Sequence, residues 1–188
     1  MTELKGYLEN RTQLFGRKEL DRLINPSSIA IIGASETAGS FGARTMRGLN
    51  VERLCLSAAA SGNSHRIIDS ALGFARQRTQ FGKPITDYQA ISHKLADMRI
   101  TAEISRVMAY RLGSLMDKGV APNTAAAVTK IFATEGNSKC ADMGIQVMGG
   151  AGLMMNSEMQ MYFRDSRVGT IGGGTSEILR NVIAKSMI

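Results

Sequence analysis

Three runs place charged or polar side chains beside glycines: Arg78-Thr-Gln-Phe-Gly-Lys-Pro-Ile85, Gln146-Val-Met-Gly-Gly-Ala-Gly152 and Ile171-Gly-Gly-Gly-Thr-Ser-Glu-Ile178. Each falls where a helix is predicted to begin or end. Glycine lets bare backbone approach a ligand, and the free amides of a helix N-terminus attract anions. That combination suits a phosphorylated cofactor. Taken singly, each run also has an ordinary explanation: a surface arginine, a glycine pair closing a helix, a threonine capping one. Cys55 and Cys140 lie far apart with no CxxC spacing, and His65 and His93 lack the spacing of a metal pair. Reduced thiols and no metal site are the expectation.

Long helices must hold these runs in place. From Asn50 to about Gln77 apolar residues recur at helical spacing, and a turn is expected at Phe81-Gly-Lys-Pro84. A second helix, about Asp87 to Asp117, sets Ile91, Leu95, Met98 and Ala102 on one stripe. Gly119 ends it, and Pro122 keeps it from resuming. A third, about Thr124 to Met148, points Val128, Ile131, Ala141, Ile145 and Met148 inward, and the last starts at a Thr175 cap with Glu177 in its first turn. Helices of 25 to 30 residues are ~40 Å long, and short loops make neighbours antiparallel. The expected fold class is all-α, an up-down four-helix bundle.

Upstream the pattern changes. Residues 17 to 24 read as a short helix stopped by Asn25-Pro26, Ile29-Ala-Ile-Ile32 as a strand, and residues 33 to 42 as a glycine-rich turn before a helical stretch at 43 to 49.

The chain of 188 residues suits one domain, or one with a short appendage, and its 44% hydrophobic and 21% charged residues are ordinary for a globular protein. A formal charge of +7 implies anionic partners or simply a solvated surface excess. Nucleic acid is disfavoured, since aromatic residues make up 5% with no Trp and no basic run clusters. No stretch has the ~18 apolar residues of a membrane span, and the N-terminus lacks a secretory core. The expected compartment is the cytoplasm.

Together and in this order, the three runs resemble the C-terminal helical domain of the flavin-dependent acyl-CoA dehydrogenases, from about Met46 to the end. The resemblance implies FAD as cofactor and an acyl-CoA as substrate. It also implies a homo-oligomer, dimer or tetramer, and an electron-transfer flavoprotein as partner. In much of that family the catalytic base is a Glu directly before Gly-Thr-Ser, where this chain has Gly173. The branch resembling isovaleryl- and long-chain-acyl-CoA dehydrogenases carries it in a Glu-Arg-Leu run, which Gly48-Leu-Asn-Val-Glu-Arg-Leu54 matches. By that resemblance Glu52 is the base, with Asn50, Arg53, Gly173 and Gly174 around the substrate. Asn50 stands where the family has an acid. The alternative for Glu52 is an ordinary acid in the first turn of a helix, favoured by the macrodipole.

The resemblance further implies that Arg78 and Gln89 reach the flavin pyrophosphate of a partner subunit. Gln146, Gly149 and Gly150 would line its adenine and ribose side, and Thr175 and Ser176 would contact flavin directly. Met154, Met155, Met159 and Met161 are expected as adaptable packing at a subunit contact. Residues from about 20 to 45 resemble the opening of the CoA-binding domain of nucleoside-diphosphate-forming acyl-CoA synthetases, with one strand of its sheet. The expectation is therefore a fragment over residues 1 to 45, poorly anchored, joined to the bundle at 46 to 188. The dehydrogenases' N-terminal helical and middle β-domains are not matched, so activity would be impaired in this chain alone. A non-catalytic interaction module, or a truncated fusion product, is the other reading.

Overall fold

The computed structural model describes residues 40–120 and 122–188. The short helix expected at 17 to 24, the strand at 29 to 32 and the glycine-rich turn up to residue 39 lie outside them. The chain divides into two units, Met1–Ala43 and Arg44–Ile188. Apart from the first turn of its leading helix, every element of regular structure among the described residues lies in the second unit.

Three long helices dominate: α1 (Phe41–Gln77), α2 (Gln89–Asp117) and α3 (Asn123–Met148). Three shorter ones follow, α4 (Gly150–Leu153), α5 (Glu158–Gly169) and α6 (Ser176–Lys185). The fold is all-α, and the three long helices end within a few residues of where the sequence puts them. The start of α1 does not. Residues 41 to 49 are its opening turns, so the helical stretch expected at 43 to 49 is continuous with it.

Between α1 and α2 the expected turn is a miniature antiparallel hairpin, β1 (Thr79–Gln80) with β2 (Lys83–Pro84), in the register Thr79 to Pro84 and Gln80 to Lys83. Its two central residues, Phe81 and Gly82, both have positive φ, at 51° and 83°. That is the backbone a two-residue hairpin loop requires, and Phe81 adopts it against the usual preference of an L-residue. Tyr88 holds the loop: its hydroxyl donates to the Gln80 carbonyl at 3.0 Å, and its ring meets Phe81 edge-on.

α3 is the axle of the bundle, packed against α2, α4, α5 and α6. Its buried positions are small or polar: Ala126, Ala127, Thr129, Ala133, Thr134, Gly136, Asn137, Ala141 and Gly144 among them. Small residues let neighbours come close. A Cβ at Gly136 would lie 2.6 Å from Thr101 Cγ2, and one at Gly144 would lie 2.6 Å from Met159 Sδ. Val128, expected inward, is instead exposed.

The dry core lies toward the C-terminal end of α3. Ile67, Ile68, Ala71 and Ala75 of α1 meet Met98 and Ala102 of α2, Cys140, Ala141 and Val147 of α3, and Met159 of α5. Met98 and Ala102 of the expected stripe are fully buried, and Ile91 and Leu95 pack beside them. Met159 is core, not surface packing, whereas Met154, Met155 and Met161 are exposed. Cys55 is an exposed thiol and Cys140 a buried one, whose thiol burial pushes up to about 11. Among the described residues no helix is long and apolar enough to cross a membrane.

Candidate active site

The opposite end of the bundle is built on polar side chains. Three helical turns into α1, Asn50 and Arg53 are both buried. Arg53 donates from Nε to the Gly173 carbonyl at 3.0 Å and from Nη1 to Asn50 Oδ1 at 3.2 Å. Asn50 in turn donates from Nδ2 to Oδ1 of Asn123, the first residue of α3, at 2.7 Å. Two turns along α3, Lys130 is completely buried and donates from Nζ to the Gly174 carbonyl at 2.8 Å. Burial pushes both cations below their ordinary values. For Lys130 the Arg53 charge adds to that, while Glu135, Glu177 and Glu52 oppose it.

Gly173 and Gly174 have φ of +66° and +101°, which glycine adopts without strain and other residues resist. Glu52 stands on the outer side of this turn, exposed. A Cβ built on Gly173 would lie 2.9 Å from Leu56 Cδ1 and 3.6 Å from Glu52 Oε1. The carboxylate of Glu52 therefore borders the space that a side chain at position 173 would enter. Nor is Glu52 a first-turn acid. α1 begins at Phe41, its first turn holds no acidic residue, and the macrodipole effect fades within one turn.

After the glycines, Thr175 caps α6, its hydroxyl accepting from the Ile178 amide. Hydrogen bonds from the backbone and from Thr175 hold the Glu177 carboxyl below its ordinary value. Ser176 is buried, yet its hydroxyl has no hydrogen-bond partner among the described residues. It lines a surface groove of about 350 Å³ with Thr175, Lys139 and Arg167. A buried hydroxyl left unpaired costs free energy, so it marks a place where a polar group belongs.

The remaining candidates are elsewhere. From Glu52 to the end of α1 is ~38 Å at 1.5 Å per residue. There, exposed Arg78 follows α1, its carbonyl accepting from the Ile85 amide at 2.9 Å, and Gln89 opens α2. Gln146 and Gly149 close α3 at the same end as the dry core, with Gly149 at φ +59° and Gly150 opening α4. The structure thus gathers Asn50, Glu52, Arg53, Gly173, Gly174, Thr175 and Ser176 into one site, and sets the other five apart from it. Two neighbours of the site went unflagged in the sequence: Lys130 and Asn123. Lys130 carried no local signal, since α3 holds a second lysine, Lys139.

Residues 42–188 match the family model of the acyl-CoA dehydrogenase C-terminal domain. The chain belongs to that family. An acyl-CoA dehydrogenase of Bacillus subtilis is 32% identical over 183 residues, 97% of this chain and 48% of that protein. That match reaches back well before Gly42. The mitochondrial isovaleryl-CoA dehydrogenase of Oryza sativa is 37% identical over 142 residues, 76% of this chain and 35% of its own length. A solved structure described as PigA with FAD and proline superposes with a TM-score of 0.75 at 28% identity, covering 78% of this chain and 38% of the other. This acyl-CoA dehydrogenase domain spans about half the length, or less, of the curated relatives it matches.

Proposed function

We propose that this chain carries the base-bearing half of a flavin-dependent acyl-CoA dehydrogenase site, with Glu52 as the base. The observation behind it is the meeting of Glu52 with the glycine turn. One carboxylate borders a point that the family, by resemblance, reaches from position 173, and position 173 here has no side chain. Glu52 makes no ion pair among the described residues, although its charge favours the protonated forms of buried Arg53 and Lys130.

The reaction removes a proton from the carbon beside the thioester carbonyl and a hydride from the next. Glu52 accepts the proton. Asn50 and Arg53 hold the turn against which the thioester lies. The chemistry FAD supplies when bound is acceptance of the β-hydrogen with its electron pair. The residues present suit that cofactor: the unpaired Ser176 hydroxyl, the α6 N-terminus and the cations Lys139 and Arg167 are what a phosphorylated, hydrogen-bonding ligand requires. Arg78, Gln89, Gln146, Gly149 and Gly150, remote from Glu52, fit the reading that they serve the flavin of a partner subunit.

The branch is that of isovaleryl-like enzymes, the setting is the cytoplasm, and an electron-transfer flavoprotein takes the electrons. As these 188 residues alone, Glu52 faces water, and turnover is weak because a base works best held out of it. A second reading, a self-associating module without turnover, draws on Ile100, Ile104, Val107 and Tyr110. They form an exposed stripe along α2 at helical spacing, and exposed apolar patches seek partners.

The test is to place residues 46 to 188 in a complete isovaleryl-type dehydrogenase and change Glu52→Gln. The amide keeps the shape but cannot take the proton, so turnover drops ~10²- to 10⁴-fold while flavin stays bound. Full rate in the variant would refute the assignment. For the chain itself, a flavin absorbance near ~450 nm separates the enzyme from the module, since that band belongs to the cofactor. Light scattering reports whether it is a dimer, a tetramer or a monomer.

A further inference from the structure

The backbone from Gly173 to Gly174 is held by two side chains. Gly172 donates to the Val168 carbonyl and Ser176 to the Thr170 carbonyl, which anchor the turn's flanks. Between them, among the described residues, the only hydrogen bonds made by the two glycines are those their carbonyls accept: Gly173 from Arg53, Gly174 from Lys130. Both donors are cations, both are buried, and neither has a carboxylate in an ion pair among the described residues.

A lone buried cation is a poor device for stability. Apolar replacement of buried charges is often neutral or stabilising, because desolvation outweighs what the charge gains. Lys130, whose one hydrogen bond among the described residues goes to a backbone carbonyl and whose burial the surrounding acids do not offset, is therefore kept for something other than the folding energy of α3. Local rules tend to be broken at functional sites. What this lysine does hold is a direction. In a trans peptide the carbonyl and the following N–H point opposite ways. Turning the Gly173 and Gly174 carbonyls toward Arg53 and Lys130 turns the Gly174 and Thr175 amides away from those cations, and neither amide has a partner among the described residues.

We propose that Lys130 is a positioning residue: with Arg53 it forms a two-cation clamp on consecutive glycine carbonyls that orients the donor groups at the start of α6. The clamp itself stands on geometry alone; that those donors serve a flavin rests on the function proposed above.

The experiment uses the full chain with Lys130→Met, close in volume but uncharged, and Lys130→Arg, which keeps a cation. Three amides report on the turn: Ser176, bonded to the Thr170 carbonyl at 3.2 Å, Ile178, bonded to the Thr175 hydroxyl, and Leu179, bonded to the Thr175 carbonyl at 3.0 Å. In the methionine variant these exchange ~10-fold faster or more, while amides along α3 keep their rates and the protein melts no earlier than the parent. The arginine variant regains part of the protection. Wild-type exchange at Ser176 and Leu179 in a folded methionine variant overturns the clamp. So does a loss of protection shared equally by α3, which marks a purely structural lysine. If the methionine variant fails to fold, Lys130→Gln carries the same readout with the same two outcomes. A parallel titration with FAD separates the two ideas. Weaker binding in the methionine variant joins the clamp to the cofactor. A parent chain that takes no FAD counts against the flavin reading, while the exchange rates still decide the clamp.

Discussion

The two ends of this bundle are packed on opposite principles. Around Met98, Cys140, Val147 and Met159 the buried side chains are apolar, interchangeable in chemistry and exacting in volume. Around the glycine turn they are Asn50, Arg53 and Lys130, exacting in chemistry and joined by hydrogen bonds to backbone and to one another. The first end makes the fold stable; the second spends desolvation to fix a geometry. Mutations should therefore separate cleanly, with stability lost from one end and site geometry from the other.

The largest effect on stability belongs to Met159→Ala. Met159 is fully buried between α1, α2 and α3, and truncating such a residue leaves a cavity that costs about 2–5 kcal/mol. Urea unfolding reports it as a lower midpoint with an unchanged slope. The exchange rates of Ser176 and Leu179 relative to global unfolding should not change, and if they did the two ends would not be independent.

Next comes Gly144→Ala, which overfills the same end. Its Cβ would meet Met159 Sδ at 2.6 Å and Ile67 Cγ2 at 3.1 Å, and overpacking of this kind costs about 1–3 kcal/mol. In the Met159→Ala background the contacts with Met159 disappear, only the close approach to Ile67 remains, and the new methyl fills part of the cavity. The double variant should then be more stable than Met159→Ala alone, a coupling that a double-mutant cycle measures directly. Simple additivity would mean that the two residues do not share this space.

These contrasts also explain what the sequence could and could not reveal. α2 was legible because Ile91, Leu95, Met98 and Ala102 carry its buried stripe with apolar side chains. α5 was invisible. Only Met159 and Ser166 of its twelve residues are buried, so no apolar period marks Glu158–Gly169. Val128 was expected inside and lies outside, because α3 packs through alanines, glycines and threonines whose burial leaves no hydrophobic signal. The start of α1 was misplaced for a similar reason. Gly48 and Asn50 look like breakers, yet Asn50 is held by Asn123 and Arg53 in mid-helix. That error mattered, since it made Glu52 look like a first-turn acid. Gly173, Gly174 and the Thr175 cap were readable from local chemistry. Lys130 was not, because nothing local says that a lysine on α3 meets a carbonyl 44 residues later.

At the polar end a smaller gain is available. Asn50→Asp places a carboxylate against Arg53, now bonded to the Asn50 amide oxygen at 3.2 Å. A charge-assisted bond is roughly twice as strong as a neutral one, so stability rises by about 1 kcal/mol, provided the Asn123 amide turns to donate. Lost stability would show that Asn123 is fixed with its oxygen toward position 50.

The smallest effect is a slope, and it tests the cost of the clamp. Burial lowers the Lys130 pKa in the folded chain, with Arg53 of α1 lowering it further. Glu135 of α3, Glu177 of α6 and Glu52 of α1 pull the other way without overcoming them. In the unfolded chain the lysine returns to about 10.4. Between its depressed folded value and that value, the unfolded state binds more protons than the folded one, so stability rises with pH across this window. Below the window both states are protonated, and the full cost of burying the ammonium is present. Other groups titrate there too, but they are shared with Lys130→Met, so the difference between parent and variant isolates this one lysine. Urea unfolding of both, from pH 7 upward, should show the parent gaining on the variant as the solution becomes alkaline. A constant difference would mean that Lys130 titrates alike in both states, and that fixing the glycine turn costs the fold nothing.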